Sequence, residues 1–206
     1  YNISRTKPPI EHENLYHKKV DLSQTEVLKK EIFKEYLPIK TPIHAVVYNA
    51  AIAYDDIVTN AKLEKLRQMY NVNVFSPIMM NREVIRNMLF NKTKGSITFI
   101  SSISSMTGYK GLSMYASTKG AIQAHSKNIA REWGPRGIRS NCIVPGFMET
   151  EMSQGLTEEQ RQRIYNRNSL KRETDIESVA WTVFFIASEK ANSITGENIN
   201  VDSGTI

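Results

Sequence analysis

Cysteine is almost missing from this chain. Cys142 is the only one among 206 residues, so no internal disulfide and no thiolate metal cluster can form. It lies in the apolar-edged run "SNCIVPG", which reads as a buried strand residue. A chain without disulfides suits a reducing cytoplasm. Long hydrophobic runs are also lacking. None approaches the ~20 residues needed to span a bilayer, which leaves no membrane role to read. No leader-like segment, internal repeat or low-complexity linker is visible. One sign of charge is in modest excess: 27 Lys and Arg against 21 Asp and Glu leave a net charge of +6. The cations are scattered among carboxylates, with no basic stripe and no aromatic RNP-type motif, which argues against nucleic acid. A solvated cationic surface, or an acidic protein partner, remains.

What is present is an alternation of short β-rich runs with helical periodicity. Compact apolar runs at 44–50, 95–102 and 139–146, and "ENINVDSG" near the end, read as strands. Helical spacing covers 23–36, 63–89 and 114–133, and a last helix holds "VAWTVFFIAS". Ser23 with Glu26, Thr157 with Gln160, and Thr174 with Glu177 have the spacing of capping boxes. Strands that are apolar throughout are buried on both faces, so they belong to a parallel sheet with helices on each side. The expected fold is α/β, a doubly wound parallel sheet in three layers, with residues 1–206 as one domain. Ligands of such sheets sit outside the carboxyl ends of the strands. Asn49, Ser101 with Ser102, and Pro145 with Gly146 stand at such ends.

The segment "SSISSMTGYKGLSMYASTKGA" carries the most chemistry. Tyr115 and Lys119 are four apart at a helix start, hence on one face and one turn apart. A nearby ammonium favours phenolate and should lower the tyrosine pKa from ~10, making it a general acid near neutral pH. Alone, Tyr-x-x-x-Lys also describes an ordinary surface pair. Ser102, thirteen residues upstream at a strand end, adds a hydroxyl able to bond an oxygen on which charge develops.

Together these motifs resemble the short-chain dehydrogenase/reductase family, over essentially the whole chain. The resemblance implies that Tyr115 donates a proton to the substrate carbonyl, that Lys119 tunes it and binds the nicotinamide ribose, and that Ser102 positions the carbonyl. It implies that Asn73 in "VNVF" holds a water of a proton relay. Pro145, Gly146, Met148 and Thr150 match the segment that contacts the nicotinamide. Asp21 matches the residue beside the adenine, and Asn49 and Ala50 lie along the cofactor. Tyr48 and Ala51 depart from the family's Asn-Asn-Ala-Gly, and Ser203 stands where a Gly is usual. Arg5, after the short alternation "YNIS", occupies the place where Arg favours the 2′-phosphate, which implies NADPH rather than NAD.

From Val144 onward the resemblance is to bacterial 3-oxoacyl-[acyl-carrier-protein] reductases. It implies a substrate lid at 148–164, carrier or substrate contacts at Arg136 and Met152, and a homotetramer. The partner is then an acidic acyl carrier protein or a small carbonyl substrate. Another alcohol or ketone substrate, or a catalytically silent relative serving as a binding or structural subunit, stays open. No Thr-Gly-x-x-x-Gly-x-Gly turn occurs in the 206 residues. This leads to the expectation of an N-terminally incomplete Rossmann domain whose first strand, Gly-rich turn and helix are absent, with "YNISR" as its second strand.

Overall fold

The computed structural model describes residues 1–150 and 155–206. Among these, six strands form and every pairing is parallel. β1 (Asn2–Ser4) pairs with β2 (His17–Lys19). A second sheet orders β3 (Ala45–Tyr48), β4 (Ser96–Ile100), β5 (Arg139–Pro145) and β6 (Asn198–Val201). The helices are α1 (Leu63–Tyr70), α2 (Ser76–Asn91), α3 (Ser113–Trp133), α4 (Glu158–Tyr165) and α5 (Ile176–Ala187).

The layers follow from the period of two along each strand. On one face, Ile97 and Phe99 of β4 and Cys142 of β5 pack with Val84 and Met88 of α2 and Ile122 and Ile129 of α3. On the other, Ile143 of β5 packs with Val179 and Ile186 of α5. Both faces of β4 and β5 are therefore covered, and their polar residues Ser96, Thr98, Ser140 and Asn141 are buried along with the apolar ones. Cys142 is fully buried, as its sequence setting predicts, and burial pushes its thiol up to about 12.

The expectation of a fold lacking its first strand is corrected. The chain opens on a strand, β1, which has its own parallel partner. Ile3 stands opposite Lys18, Asn2 N–H donates to the Tyr16 carbonyl at 2.7 Å, and Val20 N–H donates to the Ser4 carbonyl at 3.2 Å. The Tyr1 and Tyr16 rings stack at 5.2 Å. The partner strand is too short and polar to show in a hydropathy pattern. Val20, Leu28, Ile32 and Leu37 bind this region to Met80 of α2 through an apolar cluster of their own.

Two helix starts also differ from their expected form. Residues 23–36 do not begin on a Ser23 capping box. The Asp21 carboxylate accepts the Ser23 N–H at 2.9 Å, and regular winding is confined to a π-wound stretch, Lys29–Lys34. Asp175, not Thr174, caps α5, accepting from the Glu177 and Ser178 amides. The Thr157–Gln160 box does form, ahead of α4. The long helix expected at 63–89 is interrupted: α1 and α2 are joined by a π-wound turn, Asn71–Phe75.

Candidate active site

Parallel strands place all their carboxyl ends on one edge. Asn49 and Ala50 follow β3, Ser101 and Ser102 follow β4, and Pro145 closes β5 with Gly146 behind it. Gly146 is needed for a reason internal to the fold. Its N–H donates to the Val201 carbonyl at 2.9 Å, and a Cβ there would meet the Asp202 Cα at 2.8 Å. The chain passes too closely for any side chain.

α3 brings Tyr115 and Lys119 to this edge one turn apart. Lys119 is buried, its Nζ donates to the Ile100 carbonyl at 2.8 Å, and it stands 5.5 Å from the Tyr115 ring centroid. Burial draws the Lys119 pKa down to about 8. The net effect on Tyr115 is the reverse of the sequence expectation: its pKa is pushed up to about 12. Desolvation is the largest cause and the Asp55 charge the next, while a hydrogen bond with Ser102 pulls it down. Burial and the Asp55 charge thus outweigh the Ser102 hydrogen bond, and the phenol stays protonated through the neutral range.

Ser102 Oγ accepts from the amide and the hydroxyl of Ser104, at 3.2 and 3.1 Å. Asn73 sits in the π-wound turn, where the displaced ladder turns its amide towards the loop after β3. Its Oδ1 accepts from Ile52 N–H at 2.9 Å, and its Nδ2 donates to the Ile52 carbonyl at 2.9 Å and to Thr118 Oγ1 at 3.1 Å. Ser102, Tyr115 and Lys119 therefore converge, and Asn73, bonded to Thr118 one residue before Lys119, fastens a loop beside them.

Two residues here were not singled out in the sequence. Asp55 lies on the loop pinned at Ile52 by Asn73 and at Asp56 by the Gly111 carbonyl, 2.9 Å from the Asp56 amide. Its own carboxyl is raised by desolvation. Only its nearness to Tyr115 in space gives it away. Gln123 continues the stripe of Tyr115 and Lys119 at the same spacing of four, a signal the sequence did carry.

Other expected site residues stand apart from this cluster. Arg5 and Asp21 follow β1 and β2, and both are exposed. The Asp21 carboxyl is held below its ordinary value, chiefly by hydrogen bonds from Ser23 and partly by Arg5. Met148 is half-buried against the Ile143 and Val179 cluster. Thr150 is exposed, and Met152 lies outside the described residues. Arg136 is exposed in the turn after α3. The helix between Tyr115 and its end is roughly 27 Å long, so Arg136 takes no part in the chemistry.

The donor set fits the two ends of a nicotinamide dinucleotide. Lys119 and the Asn49–Ala50 and Pro145–Gly146 ends would hold the nicotinamide riboside, and Arg5 with Asp21 the adenosine end. Among the described residues there is no cluster of His, Cys, Asp or Glu able to hold a metal ion, and no helix long and apolar enough to cross a membrane.

A parallel sheet with a tyrosine, a lysine and a serine gathered at its carboxyl edge defines the class, a dinucleotide-dependent oxidoreductase. Residues 10–205 match the sequence model of a family described as enoyl-(acyl carrier protein) reductase. The 3-oxoacyl-[acyl-carrier-protein] reductase FabG of Chlamydia muridarum is 32% identical over 185 residues, covering 90% of this chain and 74% of that protein. Among solved structures, a 4-hydroxyisoleucine dehydrogenase complexed with NADH aligns with TM-score 0.87 at 25% identity, covering 92% of this chain and 78% of the other. A gluconate 5-dehydrogenase from Burkholderia cenocepacia, in complex with NADP and tartrate, shares the fold with TM-score 0.86 at 24% identity, over 92% and 74%. The chain belongs to the short-chain dehydrogenase/reductase family. It is an NAD(P)-dependent oxidoreductase acting on carbonyl and hydroxyl groups.

Proposed function

We propose that this chain reduces the 3-oxo group of an acyl thioester carried on acyl carrier protein, using NADPH, as a step of fatty acid synthesis in the cytoplasm. The observation that carries the chemistry is the Ser102–Tyr115–Lys119 cluster at the carboxyl edge of β4 and β5. The likeness to carrier-protein reductases supports the substrate.

NADPH, when bound, supplies the hydride that reaches the carbonyl carbon. Ser102 Oγ hydrogen-bonds the carbonyl oxygen and fixes its direction. Tyr115, held protonated by burial, donates its phenolic proton to the same oxygen as charge develops there. The Lys119 ammonium, 5.5 Å from the ring centroid, stabilises the phenolate so formed and binds the ribose. Asn73 fixes the loop that closes the site beside them and offers its remaining Oδ1 lone pair to a relay water.

Arg5 selects the 2′-phosphate, with Asp21 beside the adenine. Met148 and Thr150 lie along the nicotinamide. Arg136, with the net positive charge, suits an acidic carrier, and Met152 belongs to the substrate contacts. Exposed apolar residues on the helices that carry Asn73, such as Phe75 and Phe90, suit a homotetramer.

The test is NADPH oxidation by the protein with acetoacetyl thioester, free and carrier-bound. Turnover that prefers the carrier-bound form supports the proposal. Turnover of small polyols or hydroxy acids alone would replace it with a second reading, a small-alcohol dehydrogenase. That reading is favoured by the dehydrogenases of gluconate and 4-hydroxyisoleucine that share the fold.

A further inference from the structure

We propose that Gln123 is a positioning residue for the reduction, holding Ser102 in place through Ser105. The inference rests on the reading of Ser102 given above. Gln123 is buried on α3, one turn beyond Lys119 and two beyond Tyr115, so one stripe of the helix presents all three.

Its amide nitrogen has two hydrogens, and both are committed. One goes to Ser105 Oγ at 2.8 Å and the other to Ser101 Oγ at 3.0 Å. Each serine then spends its own hydroxyl hydrogen further on. Ser105 Oγ donates to the Ser102 carbonyl at 2.6 Å, and Ser101 Oγ donates to the Lys119 carbonyl at 3.3 Å. Two relays thus start from one side chain and end on the backbone of two site residues.

The polarity of the relay matters. Because Gln123 donates, each serine oxygen is occupied as an acceptor and its hydrogen is turned outward to a carbonyl. Without the donor, the half-buried Ser105 hydroxyl is left with an unfilled acceptor, and it gains by rotating away from Ser102. The loop between β4 and the 3-10 turn Ile103–Ser105 has little else to stop that. Ser101 N–H is tied to the Ile143 carbonyl at 2.8 Å, whereas the next residue, Ser102, is held by contacts within its own turn and by its hydrogen bond with Tyr115. A supporting shell of this kind decides whether a catalytic hydroxyl is held to the fraction of an ångström that the chemistry requires.

Gln123→Glu keeps the shape and reverses the polarity: a carboxylate only accepts, so both serines would turn inward to it and release Ser102 and Lys119. Gln123→Leu removes the bridge. For either, the expected kcat with acetoacetyl thioester and NADPH falls about tenfold, with KM for NADPH within about twofold, as for an interaction realised in the transition state.

The deciding experiment is a double-mutant cycle of Gln123→Leu with Ser102→Ala. A positioning role predicts that Gln123→Leu costs less than about twofold once Ser102 Oγ is gone. An equal loss in both backgrounds would show a purely structural residue and overturn the proposal. Should Gln123→Leu fail to fold, Ser105→Ala cuts the same relay by one hydroxyl, and the same non-additivity is expected. Amide hydrogen exchange reads the loop without turnover: residues 104–107 should exchange faster in Gln123→Leu, and unchanged exchange would overturn the proposal. If Ser102→Ala alone leaves turnover intact, the reading of Ser102 fails and the inference falls with it. If Ser102→Ala abolishes turnover and Gln123→Leu is silent, only the inference fails.

Discussion

The two sheets hold their functional residues in opposite ways. In the larger sheet, every residue of β4 but Ile100 and every residue of β5 but Arg139 is buried, and at its edge the Lys119 side chain is fastened to the Ile100 carbonyl and the Ser102 hydroxyl to Ser104. In the smaller sheet, none of the three residues of β1 is buried, and the residues just past β1 and β2, Arg5 and Asp21, are exposed. Chemistry that needs a proton donor at a fixed place is built on the rigid part. The residue proposed to select between two cofactors differing by one phosphate is a long charged side chain on the surface, where charge rather than position would discriminate.

The largest effect expected from this contrast is on stability. Phe99 is fully buried and stacks on Tyr48 at 5.0 Å, so Phe99→Ala should cost about 3–5 kcal/mol. Ile3→Ala, at a half-buried strand residue, should cost about 1 kcal/mol. Denaturant unfolding measures both, and equal losses would erase the contrast. Next comes cofactor choice. Arg5→Ala should raise KM for NADPH roughly tenfold, the loss of a charge-assisted contact, and leave kcat unchanged. A fall in kcat would place Arg5 among the rigid parts instead.

A smaller effect concerns proton affinity. Asp55 raises the Tyr115 pKa, so Asp55→Asn should lower it. Alcohol oxidation needs the phenolate, and its rise with pH should therefore move to lower pH in the variant. An unmoved profile would remove Asp55 from the site's electrostatics. The smallest effect is at Ser203, a non-glycine residue at φ 56° whose hydroxyl donates to the Glu173 carbonyl at 2.9 Å. Ser203→Gly relieves the backbone and loses the bond, and stability should change by less than about 1 kcal/mol.

What could be read from the sequence follows the same division. β4, β5 and α3 carry apolar residues at strand or helix spacing, so their place and the spacing of Ser102, Tyr115 and Lys119 could be read. β1 and β2 are short and polar, and their pairing depends on contacts such as Asn2 with Tyr16 that no local pattern records. The direction of the Tyr115 shift was misread because spacing along a helix shows the ammonium but hides both the depth of burial and Asp55, sixty residues away in sequence. Asn73 stands out by its motif, whereas its grip on Ile52 shows only in the fold. Thr174 was misread as a cap because Asp175, one residue on, takes the Glu177 amide that a Thr174 capping box would need.

The most direct test of the central claim is Tyr115→Phe, assayed for NADPH-linked reduction of acetoacetyl thioester with cofactor affinity measured in parallel. A loss of turnover of at least about a hundredfold is expected, the contribution of a positioned general acid, with the NADPH Kd unchanged. A variant that binds NADPH and keeps half of the wild-type turnover would contradict the account.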